Sequence, residues 1–243
     1  MRQRIRNAII LFFFLTFPIS LNYFSPYVII DGLRKGIIAG SALLFTTQLL
    51  SALFLGRAFC GWICPAGGLQ DYCTSVNSKK IKNGKANWIK YFIWLPWISL
   101  VFFIGLKSGG IIKIDPFHMT NYGISVSEPS AYINYLFVVF LFVILSFIFG
   151  KRAFCHYGCW MAPFMVIGLK VRRILRIPSL KLKSTFSKCT NCLQCNSVCL
   201  MSLDINNMVN DSKMNHNECI LCGRCVDSCS SEAIKYAFSS KKY

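Results

Sequence analysis

Four apolar runs, at residues 8–29, 37–55, 88–106 and 131–149, fix most of what this chain can become. Each is long enough to cross about 30 Å of hydrocarbon as a helix of roughly 20 residues. Inside a bilayer every backbone N–H and C=O needs an internal partner, so such runs cross as helices. Hydrophobic residues make up 54% of the 243, and the mean hydropathy of +0.48 is too high for an ordinary soluble domain. A net charge of +18 would suggest nucleic acid in a soluble protein. Here Lys and Arg fall in blocks between apolar runs, a pattern that sets membrane topology, and no nucleic-acid partner is expected.

The blocks give an orientation. Arg2, Arg4 and Arg6 precede the first run, and Arg57, Lys79, Lys80, Lys82 and Lys85 separate the second from the third. Lys151, Arg152, Lys170, Arg172, Arg173, Arg176, Lys181 and Lys183 follow the fourth without one acid. The loop between runs three and four has only Lys107 and Lys113 against Asp115 and Glu128. Both termini therefore belong on the cytoplasmic side of a multi-pass protein of the cytoplasmic membrane. Arg34 and Lys35, partly offset by Asp31, argue mildly the other way. Pro26, Tyr27 and Val28 offer no small-x-small cleavage site, so the first run reads as a retained anchor and not as a signal peptide.

Runs two and four end alike, in RAFCGWICP (57–65) and RAFCHYGCW (152–160). Each unit is a pair of apolar runs followed by two cysteines four apart, as a parallel 2+2 repeat about an axis along the membrane normal requires. On a helix, residues i and i+4 share a face, so Cys60 with Cys64, and Cys155 with Cys159, can each present two sulfurs in one direction. Gly56, Gly61, Pro65, Gly67 and Gly68 would break the first unit into a re-entrant element, tolerated at membrane depth only where buried or lining a cavity. Arg57 and Arg152 beside the sulfurs favour thiolate or an anionic ligand. The bland alternative is that the four are packing residues, and duplication with the same flanks argues against it.

From residue 184 the composition shifts to Cys, Asn, Ser and Asp, dividing the chain into a membrane domain (1–183) and a small soluble domain (184–243). So short a domain needs staples or metal. It carries Cys189, Cys192, Cys195 and Cys199, then Cys219, Cys222, Cys225 and Cys229, each set spaced C-x2-C-x2-C-x3-C. Three thiolates at this spacing wrap one cubane and the fourth reaches the other. Cys189, Cys192, Cys195 and Cys229 would hold one [4Fe–4S] cluster, and Cys219, Cys222, Cys225 and Cys199 the second. Zinc also takes paired C-x2-C, but two complete registers favour iron and sulfide.

The tail resembles a bacterial two-cluster ferredoxin, with Leu200 and Ser230 where proline normally follows the fourth cysteine. CGWICP and CHYGCW ahead of it resemble the membrane ferredoxins of the NapH, MauN and NosR C-terminal type; Trp160 stands in place of the second motif's proline. The resemblance implies a helical integral membrane protein with an α+β ferredoxin-like domain, an electron carrier or oxidoreductase subunit. It would link a membrane redox pool, with quinol as the donor or quinone as the acceptor, to a redox partner protein. The C-x3-C cysteines are its proposed redox or metal site, for a further iron–sulfur centre or copper. The alternative is a metal-handling assembly factor that reduces and delivers copper, for which four soft sulfurs are suited.

Three histidines remain. His156, inside the second motif, is the functional candidate among them. His118, in the outer loop near Asp115, reads as a surface residue that could otherwise line a quinone pocket, and His216 as structural. Cys73, with Asp71 nearby, is an unduplicated thiol.

Overall fold

A computed structural model describes residues 1–81 and 84–240; Lys82 and Tyr243 lie outside the described residues. Two helices are long and apolar enough to cross a membrane, Ala86–Lys107 and Pro129–Phe149. Their large side chains, Phe92, Phe102, Phe137 and Phe140 among them, face outward, as lipid-facing surfaces do.

The first apolar run is not one straight helix. Arg2–Leu15 is followed, after a 58° bend, by Phe17–Phe24, and the pair counts as a third candidate span only if taken together. The bend has a local cause. Thr16 leaves helical geometry and its Oγ1 bonds back to the carbonyls of Phe12 and Phe13, while Pro18 opens the next turn. Ser25, extended ahead of Pro26, ends that piece, and a separate helix, Pro26–Arg34, carries residues 26–29. The second run is also shorter than expected. Ile37–Ala39 forms a parallel strand with Lys113–Asp115, so the helix begins at Gly40 and ends at Leu55, about 24 Å of rise. At Gly40 any side chain would strike the Pro116 carbonyl, where the loop between the third and fourth apolar runs crosses the helix start.

Each cysteine motif is followed by a helix that turns back among the spans. Pro65–Cys73 packs against Arg2–Leu15 and Pro129–Phe149, while Ala162–Ile174 packs against Gly40–Leu55. The returning helix of each half thus lies on the last long helix of the other. Met161 packs in a cluster with Phe45 and Ile29, well inside Gly40–Leu55 and Pro26–Arg34, and Phe164 stacks edge-on to Phe45. Gly168 then meets Ala52, and Arg172 meets Gly56, so Ala162–Ile174 climbs alongside Gly40–Leu55 to its end.

In the tail, strand Ser179–Ser184 pairs antiparallel with Ile234–Ser239, Ser179 opposite Ser239 and Ser184 opposite Ile234. This sheet begins ahead of residue 184, where the composition changes. The two cysteine registers lie between its strands around a core of Leu182, Leu200, Met201, Ile205, Ile220 and Ile234.

Candidate functional site

Gly56 (φ 60°) and Gly150 (φ 107°) end the helices Gly40–Leu55 and Pro129–Phe149 in backbone that L side chains rarely adopt. The chain turns there, and Arg57 and Arg152 cap short helices, Ala58–Trp62 and Ala153–Tyr157, that carry Cys60 and Cys155. The expectation that each cysteine pair shares one helical face needs correction. Cys64 is extended ahead of Pro65 and caps the next helix, and Cys159 lies past Gly158 between two helices. The sulfurs meet through the breaks: Cys64 lies within electrostatic reach of Cys60, Cys155 and Cys159, and Cys159 within reach of Cys155 and Cys60. The four are thus brought together from both halves.

Buried polar groups frame them. Gln70 donates Nε2–H to Cys155 Sγ at 3.4 Å and accepts the Phe154 N–H at 3.0 Å, which fixes its amide orientation. Arg152 donates to both oxygens of Asp71 and, through Nη1, to the Cys60 carbonyl at 2.9 Å. Arg6 ion-pairs with the same carboxylate and donates to the Gly61 carbonyl at 2.7 Å. Arg57 bonds Glu218 at 2.8 Å and Lys90 bonds its other oxygen at 2.5 Å. Burial alone would raise the Glu218 carboxyl, yet Arg57 and Lys90 hold it down at about 2. His156, buried, bonds Asn87 Oδ1 through Nδ1 at 3.1 Å. His216 accepts the Glu218 N–H, and His118 bonds Asp31 at 2.8 Å rather than the side chain of Asp115. Asp71, Gln70 and Glu218 are the residues sequence reasoning missed as part of the site. Their only sequence signal is acidic or amide character in a chain with just 9 acids.

An apolar cavity of about 450 Å³ opens between the helices, lined by Cys64, Cys155 and Cys159 together with Phe17, Phe142, Trp160, Met119 and Ser125.

In the tail the two registers repeat one backbone. Asn191 and Leu193 take left-handed φ in the first, Leu221 and Gly223 at the matching positions in the second. Each pair precedes a short helix, Gln194–Val198 or Arg224–Asp227. A small cavity is lined by Cys199, Cys219, Cys222 and Cys225, one complete expected set. Burial pushes Cys199 up to about 11 and Cys219 up to about 12, and such thiols become thiolate ligands only when a cation offsets the charge. Among the described residues no three His, Cys, Asp or Glu side chains close on a single ion. Cubane ligands bind different irons and stand wider apart, so this donor set fits a cluster better than a zinc ion. In the other set, Cys195 lies within reach of Cys189 and Cys192, while Cys229 contacts Ser231 Oγ at 3.5 Å.

The membrane motif and the tail touch directly. A Cβ on Gly61 would lie 2.2 Å from the Ile220 carbonyl. Trp62 donates to the Leu221 carbonyl and Gln3 to the Cys222 carbonyl, both at 3.0 Å. Arg152 lies within electrostatic reach of Cys155 on one side and Cys222 on the other, and Cys225 within reach of Cys195.

The 4Fe-4S binding domain profile matches residues 38–83 and again 131–178, the two membrane motifs with their preceding helices, and a second 4Fe-4S binding domain profile matches 213–235. Similar proteins include an uncharacterized protein of Methanocaldococcus jannaschii, 28% identical over 78% of this chain and 76% of its own. Protein NirI of Paracoccus denitrificans is 26% identical over 75% of this chain and 26% of its own length. Ferredoxin-type protein NapH of Haemophilus influenzae is 25% identical over 78% of this chain and 65% of its own. The profiles and these relatives support a place among NapH- and NosR-like membrane 4Fe-4S ferredoxin-type proteins. No solved structure matches it. The comparisons support iron–sulfur electron transfer, with one 4Fe-4S profile on both C-x3-C motifs and the other on the second cysteine register of the tail.

Proposed function

We propose that the chain conducts electrons between a quinol or quinone in the bilayer and a partner protein beside the tail. The supporting observation is that cysteines neighbour one another from the cavity to the tail, with Arg152 between the membrane motifs and the second register. The series starts at the cavity with Cys64 and Cys159, continues through Cys60 and Cys155, crosses at Gly61 and Arg152 to the second register, and passes from Cys225 to Cys195. Cys192, exposed, lies at its far end. Cys219, Cys222, Cys225 and Cys199 would hold one [4Fe–4S] cluster, and Cys189, Cys192, Cys195 and Cys229 a second. Bound there, such clusters supply one-electron carriers of low potential. Cys60, Cys64, Cys155 and Cys159 would hold a further iron–sulfur centre or copper ion, with Arg57 and Arg152 offsetting the thiolate charge.

The chain's own residues do the rest. Phe17, Phe142 and Trp160 shape an apolar slot for a flat ring and exclude water from the sulfurs. Gln70 steadies Cys155, and Arg152 holds the two halves in register through Asp71. Four crossings in a parallel 2+2 arrangement, with both termini cytoplasmic and the domain division near residue 184, complete the reading. The doubled profile and the reciprocal packing of the two returning helices support it.

The convergence of four sulfurs also suits Cu(I) delivery. Metal analysis separates the two, because stoichiometric copper with no quinol-driven reduction would favour delivery. The decisive test is Cys159→Ser or Cys60→Ser in anaerobically purified protein in lipid vesicles. Quinol should no longer reduce the tail clusters, while dithionite still does. Reduction by quinol at the parent rate would sink the relay.

A further inference from the structure

Past the end of helix Ala162–Ile174 the chain curls back. Arg176 takes a left-handed φ of 52° and the Ile177 N–H donates to the Arg172 carbonyl, gathering the last basic residues around one hollow. That hollow, about 770 Å³, is lined by Arg172, Arg173, Arg176, Lys181 and Asn215, and among the described residues no acidic side chain lies on its wall. The cations at a helix C-terminus answer a dipole worth about half a charge, which Arg172, Arg173 and Arg176 exceed even without Lys181 from the neighbouring strand.

The arrangement is a built one and not a loose solvated patch. Arg172 is buried, against Gly56, with a single long bond of 3.4 Å to the Leu180 carbonyl. Burial, and Arg173 beside it, push its guanidinium down to about 10. Arg173 is held at Nη1 by Asn217 at 2.9 Å, yet its Nε is buried with no hydrogen-bond partner. Two neighbouring guanidiniums are thus held together at the rim of a pocket whose described lining is basic and neutral.

Its position names the ligand class. Arg172 stands level with Gly56, at the end of the apolar helix Gly40–Leu55, where hydrocarbon gives way to headgroups. Ile174 and Leu175, 78% and 64% exposed, project beside the basic residues. We infer that this hollow binds the phosphate of an anionic phospholipid, with Arg172, Arg173 and Arg176 on the headgroup and Ile174 and Leu175 along the acyl chains. Bidentate guanidinium–phosphate pairing is what this geometry offers.

The test uses the full chain, purified anaerobically in nonionic detergent. Thermal unfolding is followed while dioleoylphosphatidylglycerol, dioleoylphosphatidylcholine or inorganic phosphate is added. Phosphatidylglycerol should stabilise the protein where phosphatidylcholine does not. A basic residue near an anionic surface contributes about fivefold in binding, so Arg173→Gln with Arg176→Gln should weaken the effect roughly twenty-five-fold. The charge-matched control, Lys107→Gln with Lys113→Gln, should leave it unchanged, and both doubles should keep the parent iron content. Equal loss in the two doubles would show diffuse attraction and overturn the site. Stabilisation by inorganic phosphate alone, with the two lipids indistinguishable, would overturn the lipid assignment in favour of a soluble anion.

Discussion

Arg152 grips Asp71 with two parallel hydrogen bonds, Nε to Oδ1 at 2.6 Å and Nη2 to Oδ2 at 2.8 Å, while Arg6 closes on the same carboxylate. Both arginines are fully buried. One carboxylate therefore ties the helix Arg2–Leu15, the returning helix of the first motif and the cap of the second.

Asp71→Asn should destabilise the protein by about 3–5 kcal/mol, because it strands two buried guanidiniums. Thermal unfolding in detergent measures it. A loss below about 1 kcal/mol, the size of a surface pair, would mean that water reaches the site.

Glu218 gives a pH signature with a definite sign. Its carboxyl is held down at about 2 against an ordinary value of 4.5, so its stabilising contribution is complete above pH 4.5 and is lost as pH falls toward 2. Glu218→Gln should thus be less stable than the parent at neutral pH. The gap should stay constant down to about pH 4.5 and close below it. A gap unchanged at pH 3 would contradict the Arg57–Glu218–Lys90 pairing.

Gly61→Ala should separate the tail from the membrane motif, since its Cβ would sit 2.2 Å from backbone and nothing there can rotate away. The overpacking should cost about 1–3 kcal/mol. Quinol-driven reduction should slow while dithionite reduces the protein as before. An unchanged quinol rate would place electron entry elsewhere.

Ala131→Phe fills the cavity that Cys64 and Cys159 line. Quinol-driven reduction should fall by roughly ten- to a hundredfold, the kinetic equivalent of 1–3 kcal/mol of overpacking, with iron content unaltered. Unchanged kinetics would exclude this cavity as the quinol site.

Anaerobic protein should carry at least about eight irons and eight labile sulfides, and Cys199→Ser should remove about half of the tail's share. Zinc without sulfide would refute the tail assignment.

Much of this was legible in residue order. The third and fourth apolar runs appear within a residue or two of their expected bounds, because both are uniformly apolar and flanked by breakers. The duplication of the two C-x3-C stretches was legible too, and one 4Fe-4S profile matches both. The break at Thr16 was not, since Pro18 and Pro26 stand in what reads as one long apolar run. Nor was the role of Arg6: as a sequence it belongs to a basic flank, but in the fold it is fully buried on Asp71, from which 65 residues separate it. Composition counts such a charge for topology, whereas only tertiary contact reveals it as a structural pair. Glu218 was hidden in the same way, beside a cysteine register that drew the eye.

The bond from Gln3 to the Cys222 carbonyl joins residues 219 apart. A ribosome adding 5–20 residues each second takes roughly 10–45 s to travel that distance. The helices settle in the bilayer during that interval, and the tail arrives last, onto Gln3, Gly61 and Trp62. In the finished structure Cys199 and Cys225 are buried in one core with Leu182, Ile220 and Ile234, so the order of synthesis leaves both cysteine registers among the last parts of the chain to reach their places.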